Sequence, residues 1–295
     1  MMLKGVFLLI LLVLLAYSLS TLERRALYFP DRRIAATPAA YRLSYENVFL
    51  QTNDGQKLHG WFIPQKNKGT APTILFFHGN AGNISHRLDK ALDFHNRGFQ
   101  VLLFDYRGYG ESEGKPSEKG TYLDGEAAYR FLADIQKIPA RKIILYGESL
   151  GSAVAVELAR QHPAVPASAP AGTAPDLEEQ GPGAGAIILE SPFTSTVAMG
   201  KLVYPWLPVR WLVKYRYDNL SKISELRLPI LILHSPDDEI VPFRMGQRLY
   251  AAAASPKRLV ELTGGHNDGY YATGKRFLDS IQTFLQDTNV LSPRS

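Results

Sequence analysis

The chain contains no cysteine, which removes disulfides, a thiol nucleophile, thiolate zinc sites and lipid anchoring through a cysteine from consideration. The same absence takes away any clue to redox compartment, since a cysteine-free protein is equally at home in oxidising and reducing surroundings. Long basic runs are also missing. The formal net charge is +5 and the pI near 9.2, but Lys and Arg are scattered, with no basic run interleaved with aromatics. The excess therefore reads as a mildly basic solvated surface, with no nucleic-acid partner expected. There is no His-Glu-x-x-His sequence and no cysteine–histidine cluster, so neither a metal nor a cofactor is implied. Residues 192–217 hold no Asp or Glu at all.

Long apolar runs are present in one place. Gly5 to Leu22 carry no charge, and at 1.5 Å per residue about eighteen helical residues reach roughly 27 Å, just enough to cross a hydrocarbon core. The expectation is an N-terminal membrane anchor over residues 1–25. The alternative is a cleaved signal peptide, for which Ala16-Tyr17-Ser18 offers a small-x-small site. Orientation stays open. Only Lys4 precedes the run, whereas Arg24, Arg25, Arg32 and Arg33 come after it, which by the positive-inside rule keeps the domain cytoplasmic. A short N-terminal tail also suits a signal-anchor that exports the domain behind it.

The rest, 26–295, reads as one domain. Two strand-like runs over 45–66 flank Asn53-Asp54-Gly55, a hairpin signal. Strands then alternate with helices. Continuous apolar runs at 72–79, 99–108, 141–149, 186–191 and 229–235, with a weaker one at 257–264, are separated by helical patterns that include 84–98, 125–135 and 149–161. A last helix closes the chain at 275–285. Continuously apolar strands between helices predict a mostly parallel sheet covered on both faces, an α/β class. Two segments interrupt the rhythm. Residues 163–185 are rich in Pro, Ala and Gly and read as a flexible surface insertion. Residues 192–228 carry Trp206, Trp211, Tyr204, Tyr215 and Tyr217 between prolines and read as a small lid, its aromatics expected mostly to pack internally.

Gly147-Glu148-Ser149-Leu150-Gly151 sits where a strong strand meets a strong helix. A strand-to-helix turn this tight strains the serine backbone and needs small flanking residues. It also presents the hydroxyl at a helix N-terminus, which favours developing negative charge. A serine hydroxyl needs a base. Of seven histidines only His266, in Gly264-Gly265-His266-Asn267-Asp268, lies in a glycine-rich loop between the last strand and the last helix. The acid that would orient it lies in Pro236-Asp237-Asp238-Glu239, where spacing cannot choose among three carboxylates, with Glu190 as an outside candidate. Two backbone donors are needed for an oxyanion. Leu150 is the residue after the nucleophile, and the loop His78-Gly79-Asn80-Ala81-Gly82-Asn83 supplies the other through Asn80, with Ala81 the alternative. His78 is read as a packed loop residue.

These residues resemble the α/β-hydrolase superfamily, and within it the membrane-anchored Bem-type branch. Ala26-Leu27-Tyr28-Phe29-Pro30, HGNAGN (78–83), DYRGYGES (105–112), GESLGS (147–152), the segment around HSPDDEIVP (234–242) and GGHND (264–268) occur in that order. The match covers nearly all of 26–286. The resemblance implies the Ser, Asp, His order along the chain and places the acid on Asp238. Two departures stand out: Ser235 where glycine is usual after the strand histidine, and the insertion at 163–185, expected at the far edge of the sheet from the site.

The implied activity is hydrolysis of ester-like acyl bonds, of esterase, lipase or thioesterase type, on acylated or lipid-like substrates that suit an anchor and an apolar lid. Two alternatives stand beside it. One is a catalytically silent membrane-bound scaffold, which would usually have lost a triad residue. The other is a peptidase, which would want acidic groups in the lid, where residues 192–217 have none.

Overall fold

The computed structural model describes residues 20–66, 71–163, 183–254 and 256–291. The expected anchor thus lies, up to residue 19, outside the described residues, as does most of the 163–185 insertion. Residues 20–27 are helical. No helix among the described residues is long and apolar enough to cross a membrane.

In chain order the strands are β1 (Phe29–Pro30), β2 (Glu46–Gln51), β3 (Lys57–Ile63), β4 (Thr73–Phe77), β5 (Ala81–Gly82), β6 (Gln100–Phe104), β7 (Ile143–Glu148), β8 (Ala186–Glu190), β9 (Ile230–His234) and β10 (Lys257–Glu261). Eight of them form one sheet in the order β10-β9-β8-β7-β4-β6-β3-β2. The predicted hairpin is the pair β2–β3, antiparallel, with Gln51 opposite Lys57. Its turn closes through the Thr52 amide on the Gln56 carbonyl at 3.0 Å, and Gly55 takes the left-handed φ of +84° that a side chain would resist. β3 also runs antiparallel to β6, and the remaining pairings from β6 to β10 are parallel.

The continuous apolar strands follow from burial on both faces. All five residues of β4 are buried. Leu75 and Phe77 pack on the side that holds the helices Glu118–Arg130 and Leu150–Gln161. Ile74 and Phe76 pack on the opposite side with Leu88–Asn96 and Lys275–Asp287. The helix read from sequence at 125–135 starts earlier, because the Ser117 hydroxyl caps it by accepting from the Gly120 amide at 3.1 Å.

The described flank of the 163–185 insertion joins the sheet at the end remote from Ser149. The Gly185 amide donates to the Ile143 carbonyl at 2.8 Å, so this flank meets β7 at its first residue, while Ser149 lies just past its last. The separation is along the strands, from one end to the other, rather than between lateral edges of the sheet.

The Asp105-Tyr106-Arg107 stretch ties the hairpin to the helical layer. Arg107 is buried and bidentate to Asp54 (2.7 and 2.9 Å), and it holds Asp124 through Nε (2.8 Å) and its own amide (2.9 Å). Burial pushes the Asp124 carboxyl up to about 7 against the pull of Arg107, whereas the Arg107 hydrogen bonds hold Asp54 down at about 2. Arg107→Ala leaves Asp124 buried without its cation. The expected cost is about 3–5 kcal/mol, read as a lower urea midpoint at pH 8. The double variant Arg107→Leu/Asp124→Asn, which removes both charges, should lose clearly less.

Candidate active site

β7 delivers Ser149 into a turn with φ +50° and ψ −112°, a conformation that costs a non-glycine residue about 1–3 kcal/mol. The surroundings enforce it. The Ser149 amide donates to the Glu190 carbonyl at 2.9 Å, and its carbonyl accepts from the Ser152 amide at 3.0 Å and the Ser152 hydroxyl at 2.6 Å. A Cβ on Gly147 would lie 2.6 Å from Ser152 Cα, and one on Gly151 would lie 2.0 Å from the Phe77 carbonyl oxygen. Glycine on both sides is thus a steric requirement of bringing the helix this close to β4.

The three side chains singled out from sequence meet. His266 Nε2 stands 3.1 Å from Ser149 Oγ, and His266 Nδ1 stands 2.8 Å from Asp238 Oδ2. Geometry chooses among the acids. Asp238 is buried, and its other oxygen accepts from the amides of Ile240 (3.0 Å) and Val241 (2.7 Å). Asp237 is exposed. Glu239 instead accepts from the His266 amide at 2.9 Å, which pins the histidine loop. Glu190 is engaged instead by Lys90 and the Tyr146 hydroxyl, and it reaches the imidazole through its charge alone.

Two groups in this constellation were not read from sequence as parts of it. Buried His234 stands with Nε2 2.9 Å from the Val241 carbonyl and 3.3 Å from Asp238 Oδ2, and so buttresses the acid. Ser235 donates its hydroxyl to the Gly264 carbonyl and accepts from the Asp237 amide at 3.1 Å. The serine in place of the usual glycine thereby links the acid loop to the histidine loop.

Electrostatics poise the pair. Burial resists a charge on Asp238, but hydrogen bonds from His234 and His266 hold its carboxyl well below the usual range. Burial likewise resists an imidazolium at His266, yet the hydrogen bond and charge of Asp238 prevail and raise its pKa.

Beside Ser149 lies a second ionic network, also unread from sequence. Glu148 accepts from Lys90 (2.9 Å) and Arg87 (2.8 Å), and Lys90 Nζ continues to Glu190 at 2.6 Å. Burial opposes all these charges. Arg87 and Lys90 nonetheless keep Glu148 well below its ordinary pKa, and Glu148 and Glu190 raise that of Lys90. The network lines a cavity of about 250 Å³ that also includes Ser149, Ser191, His266 and Tyr271.

Asn80 is held from three directions. Its carbonyl accepts from the Phe29 amide (2.9 Å) and the Tyr109 hydroxyl (2.8 Å), and its side chain donates to the Leu27 carbonyl (3.0 Å). β1 pairs parallel with β5 immediately afterwards, and the Asn83 side chain donates to the carbonyls of Asp31 and Arg33. The 78–83 loop is therefore strapped down by residues 27–33 and propped by Tyr106, whose hydroxyl donates to the His78 carbonyl at 3.1 Å. His78 is fully buried, as read from sequence, with Nδ1 2.7 Å from the Gly79 carbonyl. Leu150 opens the helix, where an amide has no intrahelical acceptor.

The 192–228 excursion differs from expectation. It forms helices at Thr196–Val203, Val209–Leu212 and Asn219–Ile223, but none of its residues lines the cavity. Its return segment is fastened elsewhere, with the Glu118 carboxylate accepting from the amides of Arg216 (2.6 Å) and Tyr217 (2.8 Å). Tyr215 and Tyr217 are packed inside. Trp206 and Trp211 are 76% and 84% exposed, so the expected internal packing of the aromatics holds for only part of them.

A mostly parallel sheet with a strained serine between β7 and its helix defines the α/β-hydrolase fold, and the profile described as "alpha/beta hydrolase fold" matches residues 72–175. An uncharacterized protein of Mycobacterium tuberculosis is 40% identical over 270 residues, covering 91% of this chain and 89% of its own. Protein bem46 of Schizosaccharomyces pombe is 32% identical, covering 90% and 86%. The chain belongs to the α/β hydrolases, in their Bem46-type branch. Among solved structures, a Pyrococcus furiosus esterase superposes with a TM-score of 0.68 at 20% identity, over 88% of this chain and 97% of the other, which speaks to fold.

The Asp238 contact makes a pH prediction. A histidine whose pKa is raised stays protonated to higher pH, so His266 should titrate above about 6.5, its ordinary value. Asp238→Asn removes the charge that raises it and should move the midpoint down. Ring-proton NMR of the two proteins, with His266→Gln to assign the signal, measures both midpoints.

Proposed function

We propose that the protein is a serine hydrolase acting on ester-like acyl bonds. The observation that carries this reading is the unbroken relay from Asp238 through His266 to Ser149, at 2.8 and 3.1 Å, on a serine whose backbone is strained to φ +50°. Ser149 Oγ attacks the acyl carbon while His266 Nε2 takes its proton. Asp238 keeps the imidazole in the tautomer with Nε2 free and balances the imidazolium that forms. The amides of Leu150 and Asn80 receive the oxyanion, a contribution of about 3 kcal/mol per donor in enzymes of this kind. His266 returns the proton to the leaving group, and water repeats the sequence on the acyl-enzyme. Because His266 must be neutral to begin, kcat/KM rises with pH through its raised pKa.

The cavity is small and mainly charged or polar, so the part of the substrate it receives is short or polar, and a lipid-like portion lies outside it. Among the described residues no group of three or more His, Asp or Glu is placed to hold a metal, and the relay supplies both nucleophile and base from the chain itself. The N-terminal run supports a membrane-associated protein, with a single N-terminal anchor as the proposed attachment.

A fluorophosphonate probe should label wild type and not Ser149→Ala. With a short-chain nitrophenyl ester the same substitution should lower kcat about 10⁶-fold, the scale seen when a triad nucleophile is removed. Folded wild type that neither labels nor turns over the ester would overturn the hydrolase reading in favour of a silent scaffold.

A further inference from the structure

Six of the twelve large apolar side chains exposed among the described residues lie between 202 and 212: Leu202, Val203, Tyr204, Trp206, Trp211 and Leu212. Single exposed apolar residues are ordinary on a soluble surface, but a contiguous group marks a contact site. This group is held in shape. A Cβ on Gly200 would lie 2.7 Å from Val209 Cγ1, so the helices Thr196–Val203 and Val209–Leu212 meet face to face, and Tyr204 and Trp206 stand edge to face at 6.5 Å. The face does not cover the cavity beside Ser149.

Two further observations identify what it meets. Its charge is of one sign. Lys201, Arg210, Lys214 and Arg216 are exposed around it, and residues 192–217 contain no acid. It also adjoins the point where the apolar N-terminal run joins the domain. Glu23, in the helical stretch 20–27, accepts from the amides of Lys214 (2.8 Å) and Tyr215 (2.7 Å), and Leu22 beside it is exposed. Tryptophan and tyrosine ringed by Lys and Arg suit the boundary between lipid headgroups and acyl chains, where the rings enter and the cations meet anionic phosphates. A second copy of the chain fits less well, since a two-fold contact of this face with itself would bring two sets of four cations together with no acid from residues 192–217 to offset them.

We propose that residues 201–216 form a membrane-docking face that seats Trp206 and Trp211 in the interface of a bilayer containing anionic phospholipid, beside the N-terminal attachment. This face is independent of the hydrolase chemistry.

Tryptophan fluorescence tests it directly, because the third tryptophan, Trp61, is 2% exposed in the core. The full chain is bound to phosphatidylcholine–phosphatidylglycerol vesicles with and without brominated acyl chains, and far-UV CD checks that each variant is folded. The expected result is a blue-shifted emission quenched at least about two-fold by bromine, against little quenching in Trp206→Phe/Trp211→Phe, which retains Trp61 alone. Lys201→Glu/Arg210→Glu should lessen the quenching in the anionic vesicles. Vesicle-bound protein whose emission stays red-shifted and unquenched overturns the proposal. An emission already blue-shifted without lipid overturns it too. Concentration dependence would then assign the face to a second copy, and independence would assign it to the chain's own residues 5–19.

Discussion

The helix after Ser149 approaches the end of β4 so closely that residue 151 has no room for a side chain, and a Cβ there would sit 2.0 Å from the Phe77 carbonyl oxygen. Much else depends on that approach. It forces the reversal at Ser149 into a left-handed backbone, lifts the hydroxyl clear of the sheet and sets the first amide of the helix beside the loop that leaves β4. Residues 150–159 of this helix are all buried, so the strain at one residue is opposed by the packing of a whole element. A strained residue persists only where its surroundings over-determine it, and here the sheet, the helix and the Glu190 carbonyl all do so.

Positioning is distributed over parts of the chain far apart in sequence. The acid and base come from loops after β9 and β10, and they are joined by Ser235 reaching Gly264 and by Glu239 reaching the His266 amide. The 78–83 loop is fixed instead by residues 27–33 and by the tyrosines of the DYRGYG stretch. The short pairing of β1 with β5 thus has a purpose that its two-residue length conceals. It fixes the 78–83 loop beside the N-terminus of the helix after Ser149, as Arg107 fixes the hairpin turn through Asp54.

What could be read in advance came from local rules. Alternating apolar runs and helical spacing announced the parallel sheet, because strands buried on both faces must be apolar throughout. The glycines around Ser149 and His266 marked turns that tolerate no side chain. The choice of Asp238 over Asp237 and Glu239 could not be read from spacing, since three adjacent carboxylates differ only in which one the backbone turns inward, and the Ile240 and Val241 amides decide that in space. The Lys90 network was hidden for a similar reason. Lys90, Glu148 and Glu190 sit on three separate elements, and isolated charges in a sequence look like solvent-facing ones. Trp206 and Trp211 were misjudged because an apolar residue in a loop reads as buried unless something outside the chain covers it.

The 163–185 insertion enters at the foot of β7 and β8, a full strand length from Ser149. The strands thus separate it from the serine. That end of the sheet is where added chain stands farthest along the strands from the serine, which makes it the natural place for an experimenter to mount a tag or a fluorophore.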